Sequence, residues 1–206
     1  MYFAVRIVFS LILLFVIILI LWKRKRSALR KKTIMALILV TMGLGVLLQF
    51  CPIENVLVGF DSPESVFHYM RVGEIQSLIE GENSTLVVYS QGRNASSVQI
   101  IEKAEGAYRI PVFSMMKRID SDTLDTTAGH YEVLRFSDTE DYYICVSVMM
   151  TAPIDSISDS FSTNVRYTVS ELVGSKTSVV SIYAYSKGYP DRYYLNINGN
   201  RILALE

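Results

Sequence analysis

The chain has 206 residues, a length typical of one or two domains, and its 20 basic and 20 acidic residues give a formal net charge of zero. Two unlike parts combine to give this zero. Residues 1–52 hold eight basic residues and no acidic residue, which leaves residues 53–206 with 12 basic and 20 acidic residues and a net charge of −8. This asymmetry argues against a single evenly composed soluble domain, and the Val, Ile, Leu and aromatic content of the second part excludes disorder.

The first part contains two long apolar runs. Residues 2–22 carry Arg6 as their only charge, and residues 33–51 carry none. About 20 helical residues, at about 1.5 Å each, cross the roughly 30 Å hydrocarbon core of a bilayer. The positive charges follow the first run instead of preceding it, which argues against a cleaved signal peptide. The pattern therefore predicts an N-terminal transmembrane helical hairpin with helices at 2–22 and 33–51.

The segment between the runs, residues 23–32, is strongly basic. Short basic loops stay on the cytoplasmic side of a membrane. We therefore expect a multi-pass plasma membrane protein with two spans and with its N- and C-termini extracytoplasmic. The same charges attract anionic lipid, and the acidic domain that follows disfavours nucleic acid as a partner. The residues expected to set the topology and to contact membrane lipid are Lys23, Arg24, Lys25, Arg26, Arg30, Lys31 and Lys32.

After a connector at residues 53–60, the sequence contains one clear helix start. Ser62 is a capping residue, Pro63 suits the first helical position, and Glu64 suits the positive end of the helix dipole. Gly73 offers a stop. The pattern predicts one short helix of about ten residues.

The rest of the chain alternates short β-like runs with turn residues. Residues 114–130 are more polar and are expected to form an excursion or an irregular sheet edge, and residues 151–163 are expected to form a loop. The predicted strands are 75–79, 85–90, 98–103, 107–113, 131–136, 142–150, 164–170, 177–187, 193–197 and 200–204. The spacing of the first four suggests a meander.

The last two runs form the clearest predicted hairpin. Asn-Gly at positions 198–199 is the preferred pair for a two-residue type I′ turn, since both positions need positive φ. That turn would place Leu195 opposite Ile202 and Tyr193 opposite Ala204.

Residues 61–206 are thus predicted to form an extracytoplasmic, mainly-β domain. Its expected fold class is α+β, dominated by antiparallel β-sheet with one short helix. A domain of this size folds without disulfides. We favour two free cysteines, Cys51 and a partly buried Cys145, with a disulfide between them as the alternative.

No catalytic or metal-binding pattern is present. His68 and His130 lack the local spacing of a zinc site, and His68 is expected to be a partly exposed helix residue. The carboxylates at residues 120–125 begin like a calcium loop but lack its Gly and its closing Glu. No Gly-x-Ser-x-Gly elbow or phosphate-binding loop occurs. We predict no catalytic, cofactor-binding or metal residues and no enzymatic activity, the alternative being an envelope hydrolase that uses Glu80 and Glu82.

Tyrosines are the most suggestive feature, because five fall within residues 183–194. If Tyr183, Tyr185 and Tyr194 share an outer sheet face, they offer flat apolar area with hydroxyl groups to a peptide, glycan or protein partner. The alternative is that tyrosine is a good strand residue and lines half-buried faces without binding anything.

The second part also resembles the ectodomains of small two-span membrane proteins from Gram-positive bacteria, a family of unknown function. The pieces that carry the resemblance are Asp61-Ser62-Pro63-Glu64 with Phe67 and Tyr69, Glu80-Gly81-Glu82 leading into Val87-Val88-Tyr89-Ser90, and Tyr193 to Gly199. The resemblance implies a compartment, the outer face of a bacterial plasma membrane, and brings no site residues.

These features together predict an integral membrane protein whose acidic ectodomain binds a partner or senses a ligand at the outer membrane surface. The partner would be a membrane or envelope protein, and the charge of −8 favours a cationic or metal-bridged one. The alternative without enzymatic activity is a structural accessory subunit of a membrane complex.

Overall fold

The computed structural model describes residues 2–23, 39–41, 43, 45, 55, 59–90, 96–111, 116–124, 129–161, 165–171 and 175–205. The chain divides into two compact units. The first comprises Met1–Gly59 with Tyr69–Arg71, and the second comprises Phe60–His68 with Val72–Glu206.

The first unit contains helix α1, Tyr2–Lys23. The side chains described in this helix are those of residues 7, 8 and 10–19. Close to it lies Gly45, where an added Cβ would be 3.3 Å from the hydroxyl oxygen of Ser10.

The predicted transmembrane hairpin is wrong. Within the described part of the chain, no helix combines the length and the apolarity needed to cross a membrane. The prediction depended on the length and apolarity of two sequence runs, which do not by themselves show that the chain forms a membrane-spanning helix. The prediction of a two-span plasma membrane protein with both termini extracytoplasmic is corrected with it. Of the basic segment, Lys23 ends α1, and residues 24–32 lie outside the described residues.

The second unit begins with helix α2, Pro63–Met70, which is the predicted short helix. Its N-terminus is capped as expected, because the Ser62 hydroxyl accepts a hydrogen bond of 3.2 Å from the amide of Ser65. Val66 and Phe67 are fully buried. The ring of Phe67 packs on that of Tyr89, with 4.8 Å between the centroids, and so attaches α2 to the sheet below it.

The described residues in the rest of the second unit form twelve antiparallel strands in three sheets. The strands are β1 Glu74–Glu80, β2 Ser84–Ser90, β3 Ser96–Ala104, β4 Ala107–Arg109, β5 Met116–Thr123, β6 Gly129–Phe136, β7 Asp141–Met150, β8 Ile157–Asp159, β9 Arg166–Glu171, β10 Ser178–Lys187, β11 Tyr193–Ile197 and β12 Asn200–Leu205. Sheet A is the predicted meander, in the order β1-β2-β3-β4. Sheet B has the order β5-β6-β7-β10-β9, and sheet C the order β12-β11-β8.

Sheet B lies between the other two. One face of β7 and β10 packs on sheet C through residues such as Ile144, Ile182 and Leu195. The opposite face packs on sheet A through residues such as Tyr143, Tyr183 and Leu86. Because both faces of sheet B are covered, β7 is apolar along most of its length rather than strictly alternating.

Most predicted strands are present, with shifted ends. The polar segment from residue 116 to residue 123 forms edge strand β5, with a bulge between Arg118 and Asp120 that makes it the irregular edge that was expected. The predicted loop at 151–163 contains the short strand β8. Within the last predicted strand pair, residues 198 and 199 have the positive φ angles of a type I′ turn.

The register of this last hairpin is partly as predicted. Leu195 lies opposite Ile202. Tyr193 lies opposite Leu205 rather than Ala204, because a bulge between Tyr193 and Tyr194 shifts the pairing by one residue.

Candidate functional site

One carboxylate is completely buried in the second unit. Asp141, the first residue of β7, has no exposed surface. Its Oδ2 accepts hydrogen bonds from the amide of Asn83, at 2.7 Å, and from the hydroxyl of Ser84, at 2.8 Å. Its Oδ1 accepts from the hydroxyl of Tyr185, at 3.0 Å, and from the amide of Glu82, at 3.3 Å. A buried charge needs such donors to offset the loss of its hydration.

The buried carboxylate links two sheets. Asp141 and Tyr185 belong to sheet B, whereas Ser84 starts β2 of sheet A and residues 81–83 form the turn before it. The hydroxyls of Ser84 and Tyr143 are 2.9 Å apart and extend the network. A Cβ added at Gly81 would lie only 2.6 Å from the Tyr143 hydroxyl, so this turn requires glycine for close approach rather than for a special φ angle.

Burial is the main cause of altered tyrosine acidity in this network. Burial, followed by the charge of the Asp141 carboxylate, raises the pKa of Tyr185 to about 12. Burial likewise raises the pKa of Tyr143 well above its ordinary range. Both phenols are therefore neutral donors near neutral pH, and the network has the chemistry of a structural clamp rather than of a proton-transfer site.

The two glutamates considered for acid–base chemistry lie at the surface beside this clamp. Glu80 ends β1 and is exposed. Glu82 is also exposed and forms a 2.8 Å ion pair with Lys187. The carboxylate of Glu82 is thus an acceptor for a lysine, and neither glutamate lines the pocket described below.

The structure does not bring the three predicted surface tyrosines together. Tyr183 is 4% exposed and belongs to the core between sheets A and B. Tyr185 packs at the margin of the same core and donates to Asp141. Tyr194 lies in sheet C, where the guanidinium carbon of Arg201 stacks 3.7 Å from its ring centroid. Tyr183 and Tyr185 do lie on the same face of β10, but sheet A packs on that face.

A second cluster of tyrosine and carboxylate groups lies near edge strand β5. The hydroxyl of Tyr131 donates a 3.1 Å hydrogen bond to Asp120. Burial, followed by Asp120, raises the pKa of Tyr131 to about 12. Among the described residues, His, Cys, Asp and Glu side chains form no group of three or more that could hold a metal ion.

Cys145 is a free, half-buried thiol on β7, which confirms its predicted partial burial. Burial raises its pKa to about 12, with a smaller effect of Glu132. A thiol of this kind is a poor nucleophile at neutral pH. Cys51 lies outside the described residues.

A pocket of about 390 Å³ lies between the end of β7 and the terminal hairpin. Its lining includes Val148, Met150, Ile197 and Ile202 together with Asn200 and Arg201. No carboxylate, histidine or cysteine lines it, so it offers apolar contact without catalytic groups.

The remaining feature is the outer edge of sheet B at β9. Tyr167 and Val169 are 47% and 51% exposed. They lie opposite Ile182 and Val180 of β10, and so they continue the apolar face of sheet B beyond the area that sheet C covers. The alternate residue Thr168 points to the other face, where its hydroxyl is 3.3 Å from that of Ser96. No described strand pairs with the outer side of β9.

The described residues define a class: an N-terminal helix and a three-sheet antiparallel β domain whose central sheet ends, among the described strands, at the partly apolar strand β9. Comparison with known proteins gives no match to any family model, to any curated protein or to any solved structure. The resemblance to the Gram-positive two-span proteins therefore stays a prediction.

Proposed function

We propose that this protein is a binding module without enzymatic activity, and that its second unit recognises an extended polypeptide segment by adding it as a strand to β9. The observation that carries the proposal is the exposure of Tyr167 and Val169 on an edge strand. Alternate residues of an edge strand present free N–H and C=O groups to an incoming strand, and exposed apolar side chains add specificity.

The contrast with the other sheet edges supports this choice. Proteins protect edges with charges, bulges or very short strands. Strand β1 has a bulge and begins and ends with glutamate. Strand β5 has a bulge and four charged side chains. Strands β4 and β8 are three residues long. Strand β12, the other edge of sheet C, has a bulge in its pairing with β11. Strand β9 has six residues, no bulge in its pairing with β10, and charges only at its two ends.

The chemistry of the clamp also favours binding over catalysis. The four donors around Asp141 occupy its oxygens, and the neighbouring phenols hold their protons. The clamp joins one end of β7 to β10, and β10 is the strand with which β9 pairs. A rigid edge binds an incoming strand without a large ordering cost in the domain itself.

A site-specific photo-crosslinker tests the proposal. A benzoyl-phenylalanine residue would replace Val169 in the full chain, expressed in its native host and irradiated in intact cells. The expected result is a discrete crosslinked species whose crosslinked peptide is identified by mass spectrometry. The matched control places the same residue at Ile119, which is 44% exposed on β5 at the opposite edge of sheet B. The proposal fails if Val169 gives no adduct beyond that of Ile119.

A further inference from the structure

We infer that the strand added to β9 is β9 of a second copy of this chain, so that two copies of sheet B join into one continuous sheet. This inference rests on the proposed function and names its partner. It follows from the sequence Arg166-Tyr167-Thr168-Val169-Ser170-Glu171, which is complementary to itself in one antiparallel register.

The faces of the sheet restrict the choice of register. Two copies related by a two-fold axis perpendicular to the sheet keep the same face upward, so a residue can lie opposite only another residue of the same face. The axis must therefore pass between the two copies of one residue, which then lies opposite itself. Centred on Thr168, the pairing places Tyr167 of each copy opposite Val169 of the other. Centred on Val169, it places Tyr167 opposite Glu171.

The register centred on Thr168 is the better one. Pairs of an aromatic with a β-branched residue are among the favourable cross-strand pairs, and this register forms the Tyr167–Val169 pair twice. It covers the two exposed apolar side chains of β9 with each other. It also places Arg166 opposite Ser170 and Glu171 opposite Val165 of the other copy, so like charges do not face each other.

The charge of the strand agrees with self-pairing. Residues 53–206 carry a net charge of −8, so two copies repel each other at long range. Strand β9 has one basic and one acidic residue and is locally neutral. Pairing through β9 therefore adds no net charge at the contact itself, and added salt screens the long-range repulsion between the two domains.

Disulfide trapping tests the register. In an antiparallel pair, opposite Cα atoms lie about 4.5 or 5.5 Å apart, within the range of a disulfide. Thr168→Cys would be introduced into the full chain with Cys51→Ser and Cys145→Ala, and oxidised mildly. The expected product is a covalent dimer of about twice the 23.3 kDa chain mass that reducing agent dissociates. Val169→Cys tests the alternative register, and Ile119→Cys tests the opposite edge of the sheet.

Light scattering of the unmodified full chain gives the second measurement. We expect a dimer that Val169→Lys weakens by about tenfold in Kd, because the disrupted pair occurs twice in the dimer. Ile119→Lys is the matched control and should leave the dimer intact. A monomer in solution, or a covalent dimer with Val169→Cys or Ile119→Cys only, overturns the inference. If the photo-crosslinker at Val169 captures a different polypeptide, the proposed function stands and the second copy is excluded.

Discussion

Removing the Asp141 carboxylate is the sharpest test of how the second unit holds together. Asp141→Ala leaves the amide of Asn83 and the hydroxyls of Ser84 and Tyr185 without their acceptor. A buried donor without an acceptor costs about 1–3 kcal/mol. The amide of Glu82 also loses its weaker 3.3 Å bond. Three of these four donors are only partly buried and can bond to water, so the loss amounts to about two donors in full. We therefore expect a loss of about 3–5 kcal/mol.

Asp141→Asn should cost less, about 1–2 kcal/mol, because an amide oxygen can replace Oδ2 and keep the two shortest bonds. Its NH₂ group then takes the place of Oδ1, where the Tyr185 hydroxyl can turn and accept from it. The variant still loses the charge and the 3.3 Å bond from the amide of Glu82. The graded loss from Asn to Ala is the signature of a carboxylate held by directional hydrogen bonds.

Equilibrium unfolding in urea, followed by circular dichroism, measures both variants. In thermal unfolding, at about 2–4 °C per kcal/mol for a chain of this size, Asp141→Ala should lower Tm by about 10 °C. Asp138→Ala is the matched control, because its carboxylate is 84% exposed in an ion pair with Lys117. Exposed pairs contribute little, so this variant should unfold like the parent. The reasoning is refuted if Asp141→Ala and Asp138→Ala unfold at the same urea concentration.

Three further predictions concern neighbouring groups. Gly81→Ala should destabilise the fold by about 1–3 kcal/mol in urea unfolding, because its Cβ would lie 2.6 Å from a buried tyrosine hydroxyl, whereas Gly59→Ala meets nothing within 4 Å and should be neutral. The thiol of Cys145, with a pKa near 12, should react with a disulfide reagent at neutral pH far more slowly in the folded chain than in urea; equal rates would contradict its burial. Tyr131 and Tyr185 have pKa values raised to about 12 from 10.0, so the fold binds their protons more tightly than the unfolded chain does. Their contribution to stability is complete below pH 10.0 and should be lost as the pH rises towards about 12, and Tyr131→Phe should reduce this loss in urea titrations over that range.

Local sequence signals predicted the elements of the second unit well. Ser62 and Pro63 marked the start of α2, and Asn198-Gly199 marked the type I′ turn, because both signals act within a few residues. The bulge after Tyr193 was not predictable in this way. It depends on how β11 and β12 pack on sheet B, and no residue in the turn encodes that packing.

Long-range arrangement explains the remaining errors. The alternation in β10 showed that Tyr183 and Tyr185 share a face, but not that sheet A covers this face. Asp141 follows the polar residues 137–140, and no local signal marks it as buried, because three of its four donors lie 57 to 59 residues away at positions 82–84. Two apolar runs and the basic segment between them also predicted two membrane spans, whereas no helix among the described residues is long and apolar enough to cross a membrane.

Stability and binding should be separable, because the clamp and the open edge occupy different ends of the same strand. Asp141 pairs with Lys187, whereas β9 pairs with residues 178–183 of β10. On β10, Lys187 is thus four positions from Tyr183, the nearest residue that pairs with β9. The distance between them is about 13 Å at about 3.3 Å per residue. Substitutions this far apart usually have additive effects. Asp141→Asn should therefore lower the unfolding midpoint without changing the crosslinks formed from Val169, and Val169→Lys should do the reverse. If Asp141→Asn also abolished those crosslinks below its unfolding midpoint, the edge would depend on the clamp for its conformation, and stability and binding would not be separable.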